Sequence, residues 1–249
     1  MMLPSAESLA PHPELPEYYA PSEDKSKFVR RIFDETAEDY DRVERMMALG
    51  TGSWYRRQAL RRAGLRAGMK VLDVATGTGL VAREEIAIVG DAKLVTGVDP
   101  SVGMIAHAVR SLAIPAALGV GEQLPFSDDA YDFLSMGYAM RHLPDLRVTY
   151  REFRRVLKPD GKLCVLEITR PTNRVGLIGL RAYMRHVVPL LTRVLTGHVN
   201  SQQIWRYYWD TIEHCVPAAD VCGALRDAGF RDVQRRTQLG IFTEYTAEK

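Results

Sequence analysis

The run Val71-Leu72-Asp73-Val74-Ala75-Thr76-Gly77-Thr78-Gly79-Leu80, with Asp99 twenty residues past Gly79, constrains the fold of this chain more than any other feature. Val71, Leu72 and Val74 have the pattern of a short buried strand. Gly77 and Gly79 carry no Cβ, so the backbone can turn tightly there and approach a ligand closely. The segment from Leu80 then has the character of a helix. This is the first strand–loop–helix unit of a doubly wound α/β fold, which binds its ligand at the carboxyl ends of the strands. Asp99 ends a second strand, Leu94-Val95-Thr96-Gly97-Val98, where its carboxylate can accept from the two hydroxyls of a ribose.

The same run narrows the ligand. Gly77-Thr78-Gly79-Leu80-Val81-Ala82 fits the G-x-G-x-x-A dinucleotide pattern, so a nicotinamide-dependent oxidoreductase has to be weighed. Asp73 argues against it, because a carboxylate four residues before Gly77 would face and repel a pyrophosphate. That carboxylate suits a ligand bearing an ammonium and a sulfonium and no phosphate, which describes S-adenosylmethionine. The plainer alternative is that Asp73 only caps the loop by accepting from backbone N–H groups. A non-catalytic binding module of the same fold is disfavoured by the intact set Asp73, Gly77, Gly79 and Asp99.

The chain has 249 residues, enough for one α/β domain with decorations. A net charge of +2 gives no reason to expect nucleic-acid binding. Cys164, Cys215 and Cys222 lack zinc spacing and no secretory signal precedes them, so reduced thiols in a cytoplasmic protein are expected. The histidines have no metal-ligand spacing either, and no metal is expected. Five prolines in residues 1–21 point to a mobile arm, with residues 22–249 as the domain. Ile168–Trp209 contains no Asp or Glu but holds Arg170, Arg174, Arg181, Arg185, Arg193 and Arg206 among many apolar residues. This insertion reads either as a helical lid over the substrate or as a segment lying on an anionic membrane surface.

Helices are expected near 23–47 and 53–63, and strands near 70–75, 93–98, 115–119, 131–137 and 161–167. Between the strands lie helices near 80–89, 101–111 and 145–157. After the insertion, Pro217 opens a helix that Gly229 stops, and strands near 231–237 and 239–246 close the chain as an antiparallel pair. The fold class is therefore α/β: a doubly wound, mainly parallel seven-stranded sheet, Rossmann-like, with N-terminal helices and the lid insertion.

Over about residues 28–246 the chain resembles the class I S-adenosylmethionine-dependent methyltransferases, and more narrowly the ubiquinone/menaquinone biosynthesis C-methyltransferase family. The resemblance is carried by Phe33-Asp34-Glu35-Thr36-Ala37-Glu38-Asp39-Tyr40-Asp41, Trp54, the glycine loop, Val98-Asp99-Pro100-Ser101 and Met104. Gly121-Glu122-Gln123-Leu124-Pro125-Phe126, Arg141, Val156-Leu157-Lys158-Pro159, Leu166-Glu167 and Arg206-Tyr207 extend it. The chain departs from the family at Val120, where Asp or Asn is usual, and at Gly137, where Ser is usual. It also has Tyr138-Ala139-Met140-Arg141-His142 for the family's Phe-Gly-x-Arg-Asn, and Thr243-Glu244-Tyr245 in place of the usual tail.

What the resemblance implies is methyl transfer to a ring carbon of an amphipathic phenol or quinol, with N- or O-methylation of another lipid or natural-product acceptor as the alternative. Expected cofactor contacts are Tyr40, Asp73, Ala75, Thr76, Gly77, Thr78, Gly79, Asp99, Pro100, Met104, Gly121, Glu122 and Gly137. Met104 and Tyr40 by spacing alone fit plain helix packing better, and only the resemblance makes them cofactor contacts. Tyr138, Arg141, His142, Tyr183 and Tyr207 are the expected acceptor contacts. Among these, Arg141 is the phenolate stabiliser and His142 the base, unless Arg141 pairs with Asp145 and His142 caps the next helix. A homodimer is left open.

Overall fold

The computed structural model describes residues 8–18, 25–34, 51–190 and 201–249. Helix α1 covers 25–34 and α2 covers Thr51–Arg62. Then β1 (Val71–Val74), α3 (Leu80–Val89), β2 (Val95–Asp99), α4 (Val102–Leu112), β3 (Ala116–Leu118) and β4 (Tyr131–Gly137) alternate. They are followed by α5 (Leu146–Val156), β5 (Leu157–Ile168), α6 (Arg174–Ala182), α7 (Ser201–Glu213), α8 (Ala218–Asp227), β6 (Arg231–Gln238) and β7 (Phe242–Glu248). The seven strands lie in the order β3-β2-β1-β4-β5-β7-β6, with only the β5–β7 and β7–β6 pairs antiparallel. The doubly wound, mainly parallel sheet expected from the sequence is therefore present.

Both sheet faces are covered, as a parallel sheet requires. One face packs Leu72, Leu134, Met136 and Val165 under α5 and α8; the other packs Val71, Phe133, Cys164 and Leu166 under α2, α3 and α4. Helix α5 illustrates the local logic. Asp145 caps it by accepting from the backbone N–H of Arg147 and Val148, and Leu146, Tyr150, Phe153 and Val156 form its buried face. Burying such side chains stabilises by about 1.5–3 kcal/mol each. Strand β5 starts four residues earlier than expected, since Leu157 pairs with Tyr131 before a bulge lets Lys162 pair with Phe133.

One expectation changes. Of the arm expected to be mobile, residues 8–18 lie packed on the domain. Leu9 and Pro11 accept from the backbone of Leu146 and Val216, His12 is buried, and Tyr18 donates to Asp210. In the insertion, the acid-free run is answered by acids just beyond it: Arg181 pairs with Glu213, and Arg185 with Asp210 at 2.8 Å. A third apolar cluster joins Phe28 and Ile32 of α1, Met184 and Val188 of the π turn Tyr183–Val187 and its continuation, and Trp205, Tyr207 and Trp209 of α7. Residues 35–50, including Tyr40, and 191–200, including Arg193, lie outside the described residues. Among the described residues no helix is long and apolar enough to cross a membrane.

Candidate active site

The carboxyl ends of β1, β2 and β4 open into one cavity. The β1 loop reaches it through Ala75 and Gly77, both in the left-handed region at φ 55°. For alanine that conformation costs on the order of 1–2 kcal/mol, the kind of strain held at ligand sites. Nothing lies within 4 Å of where a Cβ on Gly77 would sit, so the space above it is open to a ligand. Gly79 has a different task. At φ 92° it does not line the cavity, and a Cβ there would sit 2.5 Å from Leu112 Cδ1, so glycine lets α3 pack on α4.

Asp99 closes the end of β2. Its Oδ2 accepts from Gly77 N–H at 2.9 Å and its Oδ1 from Ser101 N–H at 2.8 Å. The two bonds fix the carboxylate toward the cavity and leave further lone pairs for a diol. Burial pushes its pKa up to about 6 despite those bonds. Below the loop, buried Asp73 accepts from Thr76 Oγ1 at 2.6 Å and Ser135 Oγ at 2.9 Å. Burial raises it to about 6 as well. Beside it is Glu85 of α3, fully buried, with neither carboxylate oxygen hydrogen-bonded and its pKa driven well above normal by burial and then by the Asp73 charge. Thr78, Pro100, Met104, Gly121 and Glu122 line the cavity as well, and burial raises the pKa of Glu122.

Val29 and Phe33 of α1, Met136, Ala139 and Leu143 add apolar lining to the cavity, together with Ser26 and Arg30 of α1. Helix α1 is tied down by Asp34, which accepts from Ser101 Oγ and from Gly103 N–H at 3.1 Å, at the start of α4. After β4 the chain turns through Gly137 and Tyr138, the latter left-handed at φ 60°. A Cβ on Gly137 would lie 2.4 Å from Val81 Cγ2, so glycine is needed where α3 crosses. The turn delivers His142 into the cavity. Its Nε2 is buried without a partner, and Nδ1 lies 3.4 Å from the hydroxyl of Tyr207. Burial, then the charges of Arg141, Lys25 and His12, hold its pKa well below normal.

Residues 21–249 match the ubiE/COQ5 methyltransferase family model. The chain belongs to that family. It is 35% identical over 236 residues to the ubiquinone/menaquinone biosynthesis C-methyltransferase UbiE of Syntrophotalea carbinolica, covering 92% of this chain and 95% of that one. It is 36% identical over 184 residues to a demethylmenaquinone methyltransferase of Symbiobacterium thermophilum, covering 71% and 73%. In fold it is similar to a SAM-dependent methyltransferase of Thermotoga maritima, with TM-score 0.62 and 20% identity over 88% of this chain and 99% of that one.

As a ubiE/COQ5 methyltransferase the chain is an enzyme that uses S-adenosylmethionine, and its residues fit that group. The cavity offers the carboxylates of Asp99 and Glu122 and open backbone at Gly77, and Arg30 of α1 is the one lysine or arginine among its described lining residues. Of the expected contacts, Ala75, Thr76, Gly77, Thr78, Asp99, Pro100, Met104, Gly121, Glu122, Gly137, Tyr138 and His142 all line the one cavity. Asp73 does not, so its influence reaches the cavity through Thr76. Tyr183 is half-buried against the third cluster, and Tyr207 is buried within it behind His142. Tyr207 meets the site at the imidazole.

Arg141 departs furthest from expectation. It is fully buried, ion-paired with equally buried Glu167, 3.3 Å from Thr211 Oγ1 and stacked 4.4 Å over the Tyr208 ring. It also donates to the carbonyl of Tyr138 at 3.4 Å, bracing the left-handed turn. Its charge is spent inside the domain, and Asp145, its other expected partner, caps α5. His142 caps no helix; it ends a short 3₁₀ turn. Sequence reasoning missed Glu85, which looked like an ordinary helix carboxylate, and the pairing role of Glu167. Only the apolar neighbours of Glu85 in α3 could have signalled its burial.

Proposed function

We propose that this enzyme methylates a ring carbon of a prenylated quinol or similar amphipathic phenol, the chemistry for which its relatives are named. What supports this reading is a cavity whose lining combines the carboxylates of Asp99 and Glu122 with apolar side chains, among them Val29, Phe33, Met136 and Leu143, and the His142 imidazole. Apolar walls with a few polar groups among them suit a greasy ring with an oxygen to orient.

Bound S-adenosylmethionine supplies an electrophilic methyl group on a sulfonium. In this reading Asp99 accepts from the ribose hydroxyls, the Gly77–Thr78 backbone supports the amino-acid portion, and Met104 covers the adenine. Asp73, held by Thr76 and Ser135, contributes negative charge beneath the loop. The apolar walls exclude water and hold the acceptor ring in line, which is where most of the rate gain in a direct displacement originates. The arrangement needs no covalent enzyme intermediate. Incubation with methyl-labelled donor and a panel of quinols, phenols and amine lipids tests the reading; label found on nitrogen or oxygen alone would overturn it.

The same reading assigns α6 to a lipid surface, where a prenylated acceptor would reside. Its support is an exposed apolar pair, Val175 at 83% and Ile178 at 66% exposure, beside Arg174 and Arg181. Since Arg181 and Arg185 are already paired, the attraction expected from charge is smaller than the bare sequence suggests.

A further inference from the structure

We propose that His142 acts as a neutral hydrogen-bond donor, through Nε2–H, to the ring oxygen of the acceptor, and that Tyr207 is the positioning residue that puts the proton on that nitrogen. The proposal rests on the quinol reading above and goes beyond it by assigning the polar group that activates the ring.

The geometry carries it. The imidazole lines the cavity, and its Nε2 is a buried polar atom with no hydrogen-bond partner. A buried group left in this state costs free energy unless a ligand completes it. The other nitrogen, Nδ1, faces the Tyr207 hydroxyl at 3.4 Å, with the two rings stacked at 5.6 Å and 20°. Phe33 packs edge-on against the imidazole at 5.3 Å, so the ring is clamped between a stack and an edge. A neutral imidazole has one nitrogen that only accepts, and a phenol hydroxyl can donate to it. With Tyr207 as the donor to Nδ1, the imidazole proton resides on Nε2.

The surroundings favour the neutral form. Arg141 adjoins His142 in the chain, Lys25 begins α1, and His12 comes from the docked arm, all disfavouring a second positive charge. Glu122 is the carboxylate lining the cavity apart from Asp99. Arg141 is committed to Glu167, which leaves the imidazole as the donor for a developing phenolate. A preorganised neutral donor of this kind stabilises an oxyanion without first having to lose a proton. The electron pair of the ring carbon forms the new C–C bond as the S–C bond breaks onto sulfur. The phenolic proton and the displaced ring proton go to water and the product oxygen takes one back, so one proton is released in net and His142 keeps its own.

The test is nitrogen NMR of the full-length protein labelled with ¹⁵N-histidine, with His142 assigned from the H142Q spectrum, together with kinetics on the quinol. The expected spectrum has a protonated Nε2 and an unprotonated Nδ1 that do not titrate between pH 6 and 8, and Tyr207→Phe mixes the tautomers. His142→Gln places an amide donor near the Nε2 position, so turnover stays within about tenfold of wild type with the same pH profile, while His142→Ala loses roughly 10²–10³-fold. Affinity for S-adenosylhomocysteine stays unchanged in these variants and in Tyr207→Phe. A protonated Nδ1 in the wild type overturns the proposal. So does an acid limb present in the wild type and absent from H142Q, which is the signature of a base. If the wild type methylates no quinol, the functional reading fails instead, and the tautomer still stands or falls on the spectrum.

Discussion

Replacing Glu167 should cost this protein far more stability than any surface ion pair. Arg141 and Glu167 are both 0% exposed, and Glu167 also accepts from Ile168 N–H at 2.9 Å. Glu167→Gln keeps the shape and one carbonyl acceptor but leaves the guanidinium buried without a counter-charge. Breaking a buried pair from one side costs about 3–5 kcal/mol, a large fraction of the 5–15 kcal/mol typical of a domain. At roughly 2–4 °C per kcal/mol for a domain of this size, Tm should fall by about 6–20 °C. The penalty belongs to the orphaned charge, so the double variant Arg141→Met/Glu167→Leu should recover most of it. Urea unfolding followed by far-UV circular dichroism measures each variant. A loss below about 1 kcal/mol for Glu167→Gln, the scale of an exposed pair, would refute the reasoning.

Three further outcomes follow. Asp99→Ala should weaken S-adenosylhomocysteine binding by about 2–3 kcal/mol, because ribose hydroxyls lose a charged acceptor; unchanged affinity by calorimetry in a folded variant would remove Asp99 from the site. Glu85→Gln should stabilise the ligand-free protein by about 1–3 kcal/mol at pH 8 and by much less at pH 4. The folded pKa of Glu85 lies above its unfolded value, so the folded state binds the extra proton and stability falls as pH rises from the unfolded pKa toward the folded one. Equal gains in Tm at both pH values would show that Glu85 is not held protonated. Anionic vesicles should retain the protein at low salt and release it as salt screens Arg174 and its neighbours, whereas indifference to vesicles at low salt leaves α6 without a lipid role.

The sheet was legible because its signals are local. A glycine loop between an apolar strand and a helix, an acid at the end of β2, Pro217 and Gly229 around α8, and alternating segments between them all act within a few residues. The cofactor side followed, since Gly77, Asp99 and Gly121 sit on loops at the carboxyl ends of adjacent strands. The acceptor side was only half legible, because its decisive facts are pairings over long separations. Nothing near Arg141 in the chain says that its charge is consumed by Glu167 in β5, or that Tyr207 of α7 stacks on His142. Asp34 is an intermediate case. The resemblance marked the motif, and its bonds to the start of α4 supply the reason.

The central claim is that donor and acceptor meet in one cavity for transfer to a ring carbon. The most direct measurement incubates the purified protein with ¹³C-methyl S-adenosylmethionine and a reduced demethylated prenyl quinol, then locates the label in the product by NMR and mass spectrometry. The account predicts a ¹³C-methyl bonded to a ring carbon, formed by the wild type and lost with His142→Ala. Label found only on a ring oxygen, or wild-type activity in the His142→Ala variant, would contradict it.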